Sequence, residues 1–349
     1  MKILVSALEH SANVHLKSLK KELNNDVEFI GIFDKELGEP IVDLRSLAIM
    51  GFVDVFKKLI FFFRLNSQMA DLAKDVDKVL LIDSSGFNLP LAKKIKKKYP
   101  KKEIIYYILP QAWAWKRKRI PVLERTIDHL ASILPFEKDY YSKNAPITYV
   151  GHPLLDQITK FKTKLRDEVK DIVFMPGSRK AEISKLMPIY HQIREKLKVN
   201  ATIIIPNYFT DEEIKNLYGD LSKFEIKNDA HEELYKADFA FICSGTATLE
   251  ASIIGIPFIL SYIAKPLDYF IASRLVKLDF IGISNIMFSR FKGRAIHPEF
   301  IQKNVTIDNL LNSFYNYNRS NFLDDSKELR EYLQGGSSNN VAEIVKNLL

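Results

Sequence analysis

Asp83 is the residue from which a chemistry can be built. It follows the apolar run of residues 79–82 and heads Ser84-Ser85-Gly86, so a carboxylate stands where a buried strand should give way to a turn. In a cleft that excludes water, such a carboxylate can act as general base toward a hydroxyl; it can also simply cap the helix that follows. Glu9 and His10 occupy the matching place after the first apolar run and are the other acid and base candidates. In the second half, Met175-Pro176-Gly177-Ser178-Arg179 ends another apolar run. Pro176 and Gly177 force a turn there, and the Arg179 guanidinium is a permanent forked cation able to hold a diphosphate. Residues 239–243 then run into Ser244-Gly245-Thr246 and a helical pattern carrying Glu250. A strand that feeds a helix in this way gathers unpaired N–H groups and the positive helix end at one spot, which suits a phosphate. Glu250 offers an acceptor to sugar or ribose hydroxyls. An ordinary βα turn with a Ser or Thr cap has the same local signature.

Two absences narrow the chemistry. Neither G-x-x-x-x-G-K-[ST] nor G-x-G-x-x-G occurs, which disfavours an ATP-type phosphate loop and a standard dinucleotide site. His, Cys and Asp do not cluster at metal spacings, so no metal and no cofactor is expected, and a leaving diphosphate would be stabilised by cations and N–H donors.

The elements that must position these residues alternate. Strand-like runs at residues 2–8, 27–33, 79–82, 104–109, 129–134 and 147–150 are separated by helical patterns. After a pause the alternation restarts at 172–175, 201–205, 224–226, 239–243 and 258–262. This is the signature of parallel βαβ units, and it predicts an α/β protein of two doubly wound, Rossmann-like domains facing across a cleft. Ligands bind beyond the carboxyl ends of such strands, where all the candidates above fall. The expected boundaries are 1–158 and 159–325, with 326–349 as a C-terminal helix that packs back on the first domain or on a partner.

The chain has 349 residues, a formal charge of +8 and one cysteine, Cys243, which excludes a disulfide framework and suggests a reducing compartment. No apolar stretch approaches the roughly 20 residues of a membrane span. The positive charge favours acidic partners, but no aromatic and basic interleaving of a nucleic-acid platform accompanies the Lys runs at residues 93–102, so nucleic acid is disfavoured. Residues 51–65, GFVDVFKKLIFFFRL, carry too many aromatics for an ordinary soluble helix. They could lie in a membrane surface or take an acyl chain, or be buried against the sheet. Both tryptophans, Trp113 and Trp115, precede the basic run Lys116-Arg117-Lys118-Arg119, a set that suits an acyl-bearing or flat ligand with a phosphate.

The order of motifs resembles the lipid-A-disaccharide synthase family over almost the whole chain. The matching pieces are Met50-Gly51, Ile82-Asp83 with Phe87-Asn88, Trp113-Ala114-Trp115 with Lys118-Arg119, and Leu134-Pro135-Phe136-Glu137. Gly151-His152-Pro153, Pro176-Gly177-Ser178-Arg179 with Ala181-Glu182, Ser244-Gly245-Thr246-Ala247 with Leu249-Glu250, Lys265-Pro266, Arg274-Leu275-Val276-Lys277 and Asn285 follow in register. The resemblance implies a GT-B type glycosyltransferase. It would transfer, with inversion, a 2,3-diacylglucosamine unit from its UDP derivative to the 6-hydroxyl of 2,3-diacylglucosamine 1-phosphate, releasing UDP. By this resemblance the general base falls on Asp83, with Glu9 and His10 beside it. Donor binding falls on Ser178, Arg179, Ser244, Gly245, Thr246, Thr248, Glu250 and Asn285. It further implies a cytoplasmic protein held peripherally at the inner membrane through anionic lipid, and it is compatible with a homodimer. A UDP-sugar 2-epimerase, a transferase to another lipid acceptor and a catalytically silent membrane-surface protein are the alternatives. Two departures concern the acceptor side: Leu8-Glu9-His10-Ser11-Ala12-Asn13 stands where the family has G-E-x-S-G-D, and Ile82-Asp83-Ser84-Ser85-Gly86-Phe87-Asn88 where it has I-D-x-P-D-F-N.

Overall fold

Strands buried on both faces read as unbroken apolar runs, and the chain folds them into two separate parallel sheets. The computed structural model describes residues 1–24, 27–43, 55–114, 116–265 and 279–347. Met50-Gly51 and residues 52–54, Trp115, Pro266 and the stretch 274–277 fall outside the described residues, as do the side chains of residues 55–59.

The first unit comprises Met1–Asp156 and Leu333–Leu349. Its strands are β1 (Lys2–Ala7), β2 (Glu28–Phe33), β3 (Val42–Asp43), β4 (Lys78–Ile82), β5 (Glu103–Tyr107), β6 (His129–Ser132) and β7 (Ile147–Tyr149), in the order β3-β2-β1-β4-β5-β6-β7. One face packs Leu65, Met69 and Ala70 of the Val55–Leu72 helix with Leu91, Ala92 and Ile95 of the Ser85–Lys98 helix. The other packs Ala12, Leu16 and Leu19 of the His10–Leu23 helix with Val341, Ile344 and Val345 of the Ser337–Val345 helix. That last helix is tied in by polar contacts around the Gly151-His152-Pro153 motif. His152 N–H donates to Gln334 O (2.9 Å), and the Asp156 carboxylate accepts from Gly336 N (2.6 Å) and Ser338 N (3.0 Å). Gly151 has φ +88°, and a Cβ there would lie 2.6 Å from Gly335 O, so the motif begins with glycine because the returning chain passes over it. His152 itself is buried and its pKa falls to about 3, chiefly through burial, which makes it a neutral packing residue.

The second unit is Gln157–Tyr332. Its strands are β8 (Asp171–Met175), β9 (Asn200–Ile204), β10 (Glu225–Lys227), β11 (Phe239–Cys243), β12 (Phe258–Tyr262) and β13 (Glu299–Ile301), in the order β10-β9-β8-β11-β12-β13. The unit runs past the expected end at residue 325, because the Phe322–Leu333 helix packs here: Phe322 meets Phe258, and Arg330 donates to Ile253 O (2.7 Å). The edge strands β3 and β13 were not anticipated from sequence; each is two or three residues long, too short to show a period.

In each sheet the chain lays strands to one side and then returns to the other. The reversals fall between β1 and β4 and between β8 and β11. A crevice opens at such a switch point beyond the strand ends. The loops that leave those four strands are the ones that carry Glu9, Asp83, Arg179 and residues 244–246.

Candidate functional site

In the first unit the switch point brings Glu9 and Asp83 together across 74 residues of sequence: Ser84, next to Asp83, donates its hydroxyl to Glu9 Oε1 (3.2 Å). The main chain here is strained and firmly held. Asp83 and Ser84 have φ of +50° and +41°, a left-handed conformation that costs non-glycine residues about 1–3 kcal/mol. Asp83 N–H donates to Tyr107 O (3.1 Å), and Asp83 O accepts from Tyr106 Oη (2.5 Å) and Asn88 Nδ2 (2.8 Å). Asn88 is wholly buried and is itself oriented by Ser6 Oγ (2.6 Å). The carbonyl is thus occupied while the half-buried carboxylate stays open to a ligand. Burial raises the Asp83 pKa first, the Glu9 charge raises it further, and the Ser84 N–H works against both. A carboxylate so raised is a better base than a free aspartate. His10 begins the His10–Leu23 helix, is exposed, and has no hydrogen bond or ion pair among the described residues, so nothing orients it as a base.

Asn13 proves to be a brace. Its amide donates to Ala7 O (2.9 Å) and Glu9 O (2.8 Å) and accepts from Asp34 N (2.7 Å), clipping the end of β1 to the end of β2. A carboxylate could not donate either of the first two bonds. Gly86, the other departure, is exposed, and a Cβ there would meet nothing within 4 Å.

Around this point, Trp113 packs edge-on against Phe136 (4.9 Å between ring centroids), and the Arg117 guanidinium lies 5.2 Å from the Tyr140 ring. Glu137, last residue of the Leu134-Pro135-Phe136-Glu137 motif, is buried. Burial pushes its pKa up to about 8 against the opposing bond from Ser132. Arg119 reaches the start of the Ser85–Lys98 helix and donates from Nη1 to Ser85 Oγ (2.8 Å). Of the phenylalanine-rich helix, Phe61 and Phe62 pack on the core, with Phe62 edge-on to Phe87. Ile60 and Phe63 are 48% and 68% exposed, so residues 60–63 divide between burial and surface.

In the second unit Gly177 has φ +108°, and a Cβ would lie 2.6 Å from Glu182 Oε2 and 3.1 Å from Cys243 Sγ. The PGSR turn is therefore folded tightly against β11. Arg179 follows, its side chain largely exposed and held, among the described residues, by Nη1 to Glu182 Oε1 (3.0 Å). Most of its fork remains open to solvent. Ser178 O accepts from Tyr208 Oη (2.7 Å). Cys243 is a buried neutral thiol, pushed up to about 12 by burial, and serves as packing. Gly245 and Thr246 are exposed, and the Thr246–Ile254 helix has no side-chain cap, which leaves its leading N–H groups for a ligand. Glu250 is paired with His231 (3.4 Å), a residue that sequence reading missed; the bond to Glu250 raises the His231 pKa. Nothing local signals this pair, since His231 lies on the Ala230–Lys236 helix.

Two expected donor contacts need correction. Thr248 is fully buried, and its hydroxyl donates back to Gly245 O (2.8 Å), so it shapes the turn from inside. Asn285 is also fully buried and its amide is spent on protein. It donates to Glu299 Oε1 (2.7 Å) and His297 O (2.9 Å) and accepts from Ile296 N (2.8 Å) and His297 N (3.2 Å).

Residues 3–346 match the family described as lipid-A-disaccharide synthetase. The lipid-A-disaccharide synthase of Helicobacter pylori (strain J99 / ATCC 700824) is 46% identical over 360 residues, covering 99% of this chain and 98% of the relative. That of Campylobacter jejuni (strain RM1221) is 42% identical over 366 residues, with 99% of each covered. The solved structure of the glycotransferase of kitacinnamycin superposes with a TM-score of 0.62 at 13% identity, covering 100% of this chain and 98% of that one, a likeness of fold alone. Matched along nearly its whole length by the family and by relatives of 42–46% identity, the chain belongs to the lipid-A-disaccharide synthetase family.

Proposed function

We propose that the chain joins two acylated glucosamine units into the lipid A disaccharide, as the names of its relatives describe. The donor is UDP-2,3-diacylglucosamine and the acceptor is 2,3-diacylglucosamine 1-phosphate. Asp83 takes the proton of the acceptor 6-hydroxyl as that oxygen forms a bond to the anomeric carbon, and the bond from that carbon to the UDP oxygen breaks with inversion. UDP leaves with the electron pair. Its diphosphate charge is met by the open fork of Arg179 and by the uncapped N–H groups at residues 245 and 246, which is electrostatic stabilisation by groups already in place. Ser178, Ser244 and the carboxylate of Glu250, shared with His231, complete the donor set. No metal enters the step.

The observation that supports this assignment of roles most directly is the clamped Asp83 main chain, which fixes a carboxylate of raised basicity at the first switch point. Incubation with both acylated substrates and mass analysis of the products tests the whole reading. A β-1,6-linked disaccharide phosphate with one UDP per turnover is expected, and hydrolysis or epimerisation of the donor alone would refute it.

The acyl chains require access from a lipid surface. No helix among the described residues is long and apolar enough to cross a membrane. Peripheral attachment to the inner membrane through the exposed Ile60 and Phe63, flanked by Lys94 Nζ 4.2 Å from the Phe63 ring, fits that requirement. A homodimer is compatible with this arrangement.

A further inference from the structure

We infer that Arg119, braced on Ser85, recognises the phosphate of the sugar-phosphate acceptor and sets the orientation in which that acceptor meets Asp83. The inference rests on the functional reading above and deepens it by assigning the anionic end of the acceptor.

Arg119 is a half-buried cation with no carboxylate partner among the described residues. Among the described residues its one side-chain hydrogen bond goes to a neutral hydroxyl, Ser85 Oγ. Elsewhere in the chain Arg166 pairs with Asp171 and Asp238, Arg179 with Glu182, and Arg294 with Asp325, while Arg194 and Arg330, which also lack a carboxylate among the described residues, donate to main-chain carbonyls, Arg194 to Lys223 O and Leu197 O and Arg330 to Ile253 O. Arg119 has neither a carboxylate nor a main-chain carbonyl among the described residues, so this half-buried charge beside a reactive carboxylate is a place prepared for an anion. The neighbours on the same turn are otherwise engaged or exposed: Arg117 lies against Tyr140 and donates to Trp113 O (3.4 Å), and Lys118 is in solvent.

Position singles out the acceptor rather than the donor. Ser85 is two residues from Asp83, and Tyr106, whose hydroxyl donates to Asp83 O, is within electrostatic reach of both the Asp83 charge and the Arg119 charge. Base and cation thus stand around one tyrosine without forming an ion pair with each other. The acceptor has a matching layout: a hydroxyl to be deprotonated at one side of a single hexose ring and a phosphate at the other. The guanidinium uses one N–H on Ser85 and keeps the rest of its fork for phosphate oxygens, a bidentate geometry that lysine cannot reproduce. With no ion pair to Asp83 among the described residues, the cation attracts the phosphate without quenching the base.

The test compares the acylated acceptor with and without its 1-phosphate, for the wild-type enzyme and for Arg119→Gln, Arg119→Lys and Ser85→Ala. Wild type should favour the phosphate-bearing acceptor in kcat/KM by about 10–100-fold, the usual worth of a charge-assisted bidentate contact. Arg119→Gln should erase that preference through KM for the acceptor, with the KM for the UDP donor unmoved. Arg119→Lys should restore only part of it, and Ser85→Ala should weaken it. A wild type indifferent to the phosphate overturns the proposal, as does an Arg119→Gln loss equal on both acceptors, which would mark Arg119 as a structural brace. Should the wild type transfer to neither acceptor, the functional reading falls. The proposal is then decided by calorimetry with glucosamine 1-phosphate: binding lost in Arg119→Gln keeps it, and binding equal to wild type ends it.

Discussion

Changing Asn13 to aspartate supplies the last carboxylate of the G-E-x-S-G-D pattern that this segment resembles, and the structure predicts a loss of stability with no gain in rate. Asn13 is 5% exposed, and its Nδ2 donates to Ala7 O at 2.9 Å and Glu9 O at 2.8 Å. Ionised aspartate keeps the acceptor for Asp34 N but puts a charged oxygen against both carbonyls. Glu9 O still receives the helical N–H of residue 13 at 3.1 Å, so the cost is one buried acceptor left unmet plus the repulsion, about 2–4 kcal/mol at neutral pH. Protonating the new side chain returns one donor. Its folded pKa must therefore lie above the unfolded value of about 3.9. The penalty is smallest below that value and grows to its full size as pH rises through the folded pKa. Urea unfolding of the variant and of wild type at pH 4 and pH 7.5 measures the difference at each pH, which removes the wild-type pH dependence. Initial rates at pH 7.5 supply the second readout. A variant as stable as wild type at pH 7.5, or one that turns over faster, would refute the brace and return position 13 to the chemistry.

The remaining predictions concern the site directly. Asp83→Asn should cost about 10²–10⁴-fold in kcat, the range of a lost general base, while calorimetry shows UDP bound as in wild type. Glu9→Gln removes a like charge that raises the Asp83 pKa. Because activity needs Asp83 ionised and is lost as pH falls through its pKa, the acid limb of kcat/KM should move to lower pH; an unmoved limb would separate Glu9 from the base. Arg179→Ala should raise the donor KM about 10–100-fold with little change in the acceptor KM, whereas Asn285→Ala should lower stability and leave UDP binding intact if Asn285 is the interior bracket that its contacts describe. Ile60→Ser with Phe63→Ser should reduce sedimentation with anionic vesicles while the fold is kept; undiminished binding would move the membrane contact elsewhere.

The strands of both sheets could be read from the chain because parallel strands covered on both faces must be apolar throughout, and the residues that follow them stand out by contrast. Asp83, Arg179 and the Ser-Gly-Thr turn were visible for that reason. What the local pattern could not carry is which strands become neighbours. The β1–β4 pairing that sets Glu9 beside Ser84, and the packing that sets His231 against Glu250, arise from long-range order. Buried polar residues misled for a related reason. Thr248 and Asn285 have side chains that a nucleotide could use, and only the completed hydrogen-bond partners show that the protein uses them first. Asn13 misled in the opposite direction: it looked like a lost acid and is a gained pair of donors.

The two left-handed residues explain why Asp83, rather than Glu9, should carry the proton. Glu9 is exposed, precedes its helix with an ordinary extended φ of −119°, and among the described residues its carboxylate is held by one 3.2 Å bond. Asp83 sits on strained backbone that persists because Tyr106 and Asn88 both grip its carbonyl, and a short side chain on a fixed backbone is preorganised for one geometry. Asn88→Ala should release that grip. The buried carbonyls of Ile82 and Asp83 would lose a donor, at a cost of about 1–3 kcal/mol in stability, and kcat should fall with KM for either substrate nearly unchanged. Ser84→Gly is the complementary change. Glycine accepts φ +41° freely, so stability should hold or rise by up to about 1 kcal/mol even as the tie to Glu9 is lost. If Asn88→Ala stays folded with an undiminished kcat, the grip on the main chain has no part in positioning the base, and the strain at residues 83 and 84 is only the route by which β4 reaches its helix.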